Sequence, residues 1–265
     1  MRPFISAALI LGTTTAEAHD FWLTPDRFIV RPGEPVSISF IVGHAGDAEP
    51  WNLRQERVVE LKICKAGSCI PVSDIAPNTP EGPGRARVSV NEPGTAIIAF
   101  ESRHSFSELD GDRFNEYAEK EGLRAILADR AARFSESDPG RELYSRRAKT
   151  LIRVEGGGSD DASRAVGHTL EIVPLEDLSR IDPGDKFSVR VLFNGAPLEG
   201  ATIDLDNLGD QLGTVQSAVT NADGDAAFAA GEPGPWKLMS VWGVPLKDRS
   251  RADYETFFAS LTFSY

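Results

Sequence analysis

Histidine is the residue type in this sequence best suited to metal chemistry, and four are present: His19, His44, His104 and His168. Cleavage after Ala18 would make His19 an N-terminal residue, whose free α-amine and imidazole can chelate one metal ion. His44 and His104 each follow a predicted strand, and the loops of a β-sandwich gather at its ends. The sequence therefore predicts a metal site built from His19, His44 and His104, with His168 incidental. The alternative is three unrelated surface histidines.

The metal expected at such a site is a divalent transition metal, because imidazole and amine nitrogens suit nickel, cobalt, copper or zinc. Other metal motifs fit less well. The pairs Asp204-x-Asp206 and Asp223-x-Asp225 lack the later Glu of a calcium loop, so we assign them to a strand and a turn. No serine-hydrolase, zinc-protease, phosphate-loop or dinucleotide motif is present, which predicts a binding protein rather than an enzyme.

The N-terminus has the pattern of a secretory signal peptide over residues 1–18. Arg2 supplies a positive charge, residues 4–11 form a short apolar run, and residues 16–18 read Ala-Glu-Ala. We expect cleavage after Ala18 and export to the periplasm.

The two cysteines support the same compartment. Cys64 and Cys69 flank a Gly-containing turn between two β-prone stretches, an arrangement typical of a hairpin whose arms face each other. In an exported protein this spacing favours a disulfide over free thiols.

Composition narrows the class of partner. Forty acidic residues against 28 basic ones give a formal net charge of −12, which disfavours nucleic acid and favours cations. No apolar stretch reaches the roughly 18 residues of a transmembrane helix, so no membrane span is expected in the mature chain.

The distribution of turns predicts a mainly β fold. The 24 Gly and 17 Pro residues separate short alternating stretches, which favours many strands over long helices. We predict two immunoglobulin-like or carboxypeptidase-regulatory-like β-sandwich domains, at 19–154 and 165–265, joined by a linker at 155–164. A helical insertion at about 107–148 interrupts the first domain, and residues 150–154 form its last strand.

The last part of this insertion carries a basic group: Arg141, Arg146, Arg147 and Lys149. Asp138 followed by Pro139 resembles a helix N-cap with Pro at the first helical position. We therefore expect a solvated helix face, with an anion site as the less favoured interpretation.

Residues 18–25 (Ala-His-Asp-Phe-Trp-Leu-Thr-Pro), directly after the predicted signal, resemble a family of bacterial periplasmic domains of unknown function. That family is commonly labelled the periplasmic component of cobalt/nickel transport. Its pattern is also matched at residues 113–117, 121–123, 144–151, 183–201 and 258–263. The resemblance implies binding of Ni²⁺ or Co²⁺ for uptake, His19 as N-terminal ligand, and a membrane metal transporter as partner.

Three functions follow from these observations. The first is a periplasmic metal-binding accessory protein for nickel, cobalt or a similar ion. The second is an envelope or adhesion-like scaffold of β-sandwiches without a metal. The third is a copper protein that uses a histidine brace.

Export and oxidation can be tested together by intact-mass spectrometry of the secreted protein. We expect a chain that begins at His19 and gains the mass of two hydrogen atoms on reduction. A mass that retains residues 1–18, or two thiols alkylated without reduction, would contradict this prediction.

Overall fold

The computed structural model describes residues 20–44, 46–157, 160–209 and 213–265. The predicted signal peptide and His19 lie outside the described residues.

Strands dominate the described chain. In order, the elements are β1 (Asp20–Pro25), β2 (Ile29–Val30), β3 (Pro35–Gly43), β4 (Glu49–Pro50), β5 (Val58–Lys65), β6 (Ser68–Pro71), β7 (Ile75–Ala76), β8 (Arg85–Ser89), β9 (Gly94–Ser102), β10 (Ser105–Leu109), α1 (Gly111–Lys120), α2 (Arg124–Ala132), β11 (Gly140–Val154), β12 (Leu170–Pro174), β13 (Lys186–Phe193), β14 (Ala196–Pro197), β15 (Thr202–Asn207), β16 (Gly213–Val219), β17 (Asp225–Ala229), β18 (Pro235–Pro245) and β19 (Tyr254–Ser264). The predicted mainly β, sandwich-type class is confirmed.

A ten-stranded sheet forms the middle layer of the protein. Its main order is β16-β15-β18-β19-β11-β9-β5-β6, and β2 and β10 also pair with β11. At its centre β11 and β19 run parallel, from the pair Glu142–Tyr254 to the pair Thr150–Thr262. Strands from the two predicted domains, 19–154 and 165–265, therefore belong to one continuous sheet.

Each face of this central sheet is covered by a different layer. One face carries the five-stranded sheet of β1, β3, β4, β7 and β8, together with the two helices; the other carries the four-stranded sheet of β12, β13, β14 and β17. Successive residues of a strand point to opposite faces. Thus Ile152 of β11 packs in the core with Phe21, whereas neighbouring Leu151 packs in the core with Phe187.

The helical insertion is partly confirmed. Helices α1 and α2 lie within the predicted stretch, but the helix predicted to begin at Asp138 and Pro139 is wrong, because β11 starts at Gly140. Pairing with β10 on one side and β19 on the other overrides the local capping signal. The backbone at Gly140 also lies against the ring of Phe114, where an added Cβ would be 2.0 Å from Cγ.

The prediction of a solvated face for Arg141, Arg146, Arg147 and Lys149 is also wrong, since the last three are buried in β11. The ammonium of Lys149 lies 2.8 Å from the carboxylate of Glu171, and both side chains are 1% exposed. The guanidinium of Arg146 lies 4.9 Å from the ring centroid of Tyr144. Paired partners and aromatic faces take the place of solvent for these cations.

The predicted disulfide is confirmed. Cys64 and Cys69 are partners in the β5–β6 hairpin and are joined by a bond between their sulfur atoms. Within the predicted linker, Ala162 is buried in a hydrophobic core and the Asp161 carboxylate accepts a hydrogen bond from the backbone of Ala66. This part of the linker therefore packs against the hairpin end.

The buried ion pair between Lys149 and Glu171 should be essential for stability. Lys149→Met leaves the Glu171 carboxylate without its counter-ion, and we expect a loss of about 3–5 kcal/mol in the free energy of unfolding. The double variant with Glu171→Gln should recover part of that loss, as measured by urea denaturation. Lys186→Met, on the exposed start of β13, is the control and should be nearly neutral. Equal losses in the single and double variants would contradict the pairing.

Candidate functional site

A small acidic pocket lies where β1 begins, against the β15–β18 side of the central sheet. We call it the β1 pocket. Its lining consists of Asp20, His44, Lys120, Glu121, Thr202, Asp204, Asp206, Thr214, Met239, Ser240 and Val241. The pocket encloses about 80 Å³. It adjoins a larger cavity of about 420 Å³, and the two share His44, Lys120 and Glu121.

Antiparallel pairing brings the first two of these residues together. Asp20 opens β1 opposite Gly43, the last residue of β3, so that His44 follows directly beside it. Gly43 has a φ of +133°, and a Cβ there would lie 2.8 Å from the backbone of Ala48. Glycine is therefore required at the bend that directs the chain into His44.

The register between β15 and β18 of the central sheet positions the charged residues at the base of the pocket. Asp206 of β15 is the direct partner of Lys237 of β18, and Asp204 pairs with Met239 two residues further along. Glu121 follows α1, where Gly122 (φ +68°) brings the chain so close to Thr202 that a Cβ would lie 2.7 Å from its Oγ1.

Lys237 is the central cation of this arrangement. Its buried ammonium pairs with the carboxylates of Asp20 and Asp206, the latter at 2.8 Å, and lies 4.5 Å from the ring centroid of Trp22. Burial alone would lower the pKa of Lys237, but the two carboxylates outweigh it and raise the pKa. The side chain therefore remains protonated and fixes β1 to the central sheet.

Four carboxylates line the pocket around this cation, and the pKa values of two of them are raised. Burial, followed by the charge of Asp20, raises the pKa of Glu121 to about 7. Burial also raises the pKa of Asp204, against the effect of a hydrogen bond donated by Ser217. Removing a proton from either group adds negative charge to a desolvated region, so the pocket favours a proton or another cation.

A second buried carboxyl group lies behind the larger cavity. Glu142 accepts hydrogen bonds from Thr256 Oγ1 at 2.6 Å and from the hydroxyl of Tyr117, a cavity-lining residue, at 3.4 Å. Burial raises the pKa of Glu142 to about 7, despite those hydrogen bonds. A buried acid that titrates near neutral pH thus lies one hydrogen bond behind the cavity wall.

The predicted metal-binding histidines are not all brought together. His44 lines the β1 pocket, and His19 lies outside the described residues. His104 instead lies with its Nε2 2.8 Å from the carboxylate of Glu255 in β19.

His104 and His44 lie on opposite faces of the central sheet. Glu255 alternates with Tyr254 along β19 and shares the face of Phe257, which packs in the core under β12 and β13. The β1 pocket instead opens beside Met239, which packs with Tyr254 and the helices. The sheet itself therefore separates His104 from His44.

His168 has a structural environment. It is buried, and burial lowers the pKa of its imidazole to about 3, so the ring stays neutral at physiological pH. Its backbone amide donates to Glu171. That His168 takes no part in metal binding stays a prediction.

The sequence does not predict that Asp20, Glu121, Asp204 and Asp206 line one pocket, or that the buried Lys237 pairs with two of them. The spacing of Asp204 and Asp206 is visible in the sequence, but only the register with β18 shows that Lys237 is the partner of Asp206. Among the described residues, no group of three or more His, Cys, Asp or Glu side chains is arranged to hold a metal ion. No helix in the described part of the chain is long and apolar enough to cross a membrane.

Comparison with known families shows that the family described as "Domain of unknown function (DUF4198)" matches residues 16–242, and the chain therefore belongs to it. A comparison with curated proteins finds no match. Among solved structures, a Salmonella alpha-2-macroglobulin mutant aligns with 93% of this chain at 13% identity and a TM-score of 0.24, and the chain spans 15% of its length. Fibronectin(III)-like modules of Clostridium thermocellum CbhA align over 90% of this chain and 94% of theirs, at 10% identity and a TM-score of 0.19.

The raised pKa of Glu142 predicts how stability depends on pH. The folded protein holds this proton more tightly than the unfolded chain, so its contribution is complete below pH 4.5 and is lost as pH rises through about 7. Glu142→Gln removes that loss, and its unfolding free energy relative to the parent should rise by about 3 kcal/mol between pH 4 and pH 8. Urea denaturation at both pH values measures this. Exposed Glu119→Gln should follow the parent, and an unchanged pH slope in Glu142→Gln would contradict the assignment.

Proposed function

We propose that this member of the DUF4198 family is an exported protein that binds a divalent transition metal, nickel or cobalt, in the periplasm. One observation carries the proposal: a pocket of carboxylates and a histidine opens at Asp20, the residue that directly follows His19. The site that signal-peptide cleavage would create and the acidic pocket are therefore adjacent in the chain.

In this proposal, cleavage during export supplies two nitrogen ligands in addition to the described residues. Cleavage after Ala18 would free the α-amine of His19 and place it, with the imidazole, one residue from Asp20. The disulfide between Cys64 and Cys69 is consistent with an oxidising compartment. In this proposal the unprocessed chain has an incomplete site.

The proposed ligand set differs from the three histidines predicted by the sequence. The α-amine and imidazole of His19 provide two nitrogens, and His44 provides a third. A carboxylate of the β1 pocket, Glu121, takes the place of His104, which lies across the sheet. Three nitrogens and one oxygen suit nickel, cobalt or copper better than magnesium or calcium.

The electrostatics of the pocket favour this class of cargo. Lys237 neutralises part of the charge of Asp20 and Asp206, while burial and the neighbouring carboxylates raise the pKa values of Glu121 and Asp204. A divalent cation would compensate them in place of protons. Metal binding should therefore release protons and weaken in acid.

The role that we propose is binding and delivery, with a membrane metal transporter as the partner. The sequence has no serine-hydrolase, zinc-protease, phosphate-loop or dinucleotide motif, and the family that it resembles is commonly labelled as a component of cobalt/nickel transport. A metal-free envelope scaffold is the alternative that the following experiment distinguishes.

The test is calorimetric titration of Ni²⁺ and Co²⁺ into the mature chain that begins at His19. We expect one site per chain, with affinity that falls by at least tenfold from pH 7.5 to pH 5.5, since the α-amine of His19 and the carboxyl group of Glu121 then take up protons. A Met retained ahead of His19 and the variants His44→Ala and Glu121→Gln should each weaken binding.

His104→Ala is the matched control, because it removes a histidine from the opposite face of the sheet and should leave the affinity unchanged. If blocking the N-terminus or removing His44 has no effect on affinity, the proposed site is wrong. If no metal binds to the mature chain, the scaffold alternative replaces it.

A further inference from the structure

A second cavity, of about 300 Å³, lies between the end of α2, β10 and the start of β19, and it shares no lining residue with the β1 pocket. Its walls include Glu108 on β10, Arg130 on α2, Arg133, Asp138 and Arg141. We call it the α2 cavity. The charges on these walls are the observation from which the inference starts.

Arg130 is a buried cation without a counter-ion in the described structure. It is 2% exposed, and its hydrogen bonds go to uncharged acceptors: Asn115 Oδ1 at 2.7 Å and the backbone carbonyls of Glu136 and Asp138 at 2.9 and 2.7 Å. Within the described residues, no carboxylate oxygen lies within 4.0 Å of its guanidinium. A buried charge is normally paired, because desolvation without compensation is costly.

The other two arginines of the cavity are already engaged. Arg141 donates two hydrogen bonds to the carboxylate of Asp253, at 2.9 and 3.2 Å. Arg133 lies 3.6 Å from Asp129. Neither arginine therefore supplies a free counter-charge for the acids of the cavity.

Two carboxylates on the rim also lack a partner. Glu108 and Asp138 are exposed, and across the described ranges neither has a Lys, Arg or His nitrogen within 4.0 Å. Glu108 is the direct cross-strand neighbour of Arg141, but that guanidinium is turned to Asp253. The α2 cavity therefore contains one buried cation, Arg130, and two exposed carboxylates, Glu108 and Asp138. None of the three forms an ion pair within the described residues.

We propose that the α2 cavity binds a small zwitterion, such as a free amino acid. Its carboxylate would accept hydrogen bonds from Arg130, and its ammonium group would donate to Glu108 and Asp138. A cavity of this size lies at the lower end of small-molecule sites, of about 300–1,000 Å³, which excludes large ligands. The carboxylate of the ligand then meets a buried guanidinium that forms no ion pair within the described residues, and its ammonium group meets two carboxylates of which the same is true.

The turn after α2, beside the cavity, contains a residue with a left-handed backbone conformation. Phe134, between Arg133 and Ser135, has a left-handed φ of +53° and is 90% exposed. It occupies the position after a helix where glycine is usual, with the Ser135 amide donating to the carbonyl of Arg130. A bulky residue in this conformation carries strain, and an exposed aromatic ring lies next to two lining residues.

The experiment is calorimetric titration of glycine, L-alanine, L-leucine and L-glutamate into the full mature chain in EDTA, with acetate and methylammonium as single-charge probes. We expect at least one amino acid to bind about tenfold or more tightly than either single-charge probe. Glu108→Gln and Asp138→Asn should each weaken it by about tenfold, the loss expected for one charged hydrogen bond. Glu119→Gln, an exposed acid on α1 outside the cavity, should bind like the parent.

Arg130→Lys tests the carboxylate end, since it keeps the charge but loses the forked donors. If that variant does not fold, the Glu108→Gln result decides alone. Saturable binding by none of the amino acids, equal affinity for acetate, or unchanged affinity in Glu108→Gln would overturn the proposal. The chelator keeps this outcome independent of the metal site.

Discussion

The parallel pairing of β11 with β19 is the constraint on which the rest of the molecule depends. It joins strands that are more than 100 residues apart into one sheet, and both faces of that sheet are covered. Residues 145–152 of β11 are buried on both faces of the sheet, so the charged side chains among them need partners. Lys149 pairs with Glu171, and Arg147 pairs with Glu101. The guanidinium of Arg146 lies against aromatic rings.

The same sheet explains where the β1 pocket forms. Strand β1 belongs to the five-stranded layer, yet the hydroxyl of Thr262 in β19 donates to the carbonyl of Leu23, and Lys237 pairs with Asp20. These contacts hold the first described residue against β18. Asp20 therefore lies beside Glu121, Asp204 and His44. The disulfide hairpin lies at the far edge of the sheet and takes no part in this geometry.

Local features of the fold could be predicted from the sequence, whereas long-range features could not. The Cys64–Cys69 hairpin and the helical periodicity at Leu123 and Ile126 depend on neighbours in the chain, and both predictions are confirmed. The sequence predicts a helix at the start of β11 because its capping signal is local, whereas its strand pairing is not. The same local signal predicts that the basic residues of β11 face solvent, whereas three of them are buried.

The candidate site likewise combines local features that can be predicted from the sequence with long-range features that cannot. His44 could be placed at a strand end from the sequence alone, but its relation to His104 required knowledge of which sheet face each residue occupies. The partnership of Asp206 with Lys237 depends on the register of two strands separated by some 30 residues. The raised pKa values of Glu121 and Glu142 arise from burial that no local pattern encodes.

The proposed metal site combines ligands from a processed N-terminus with ligands from the β1 pocket. X-ray absorption at the nickel edge tests this combination most directly. For the mature chain loaded with one Ni²⁺, the account predicts a nitrogen-rich coordination sphere with the scattering pattern of two imidazoles, one of which disappears in His44→Ala. A coordination sphere of oxygen alone, or a spectrum that His44→Ala leaves unchanged, would contradict it.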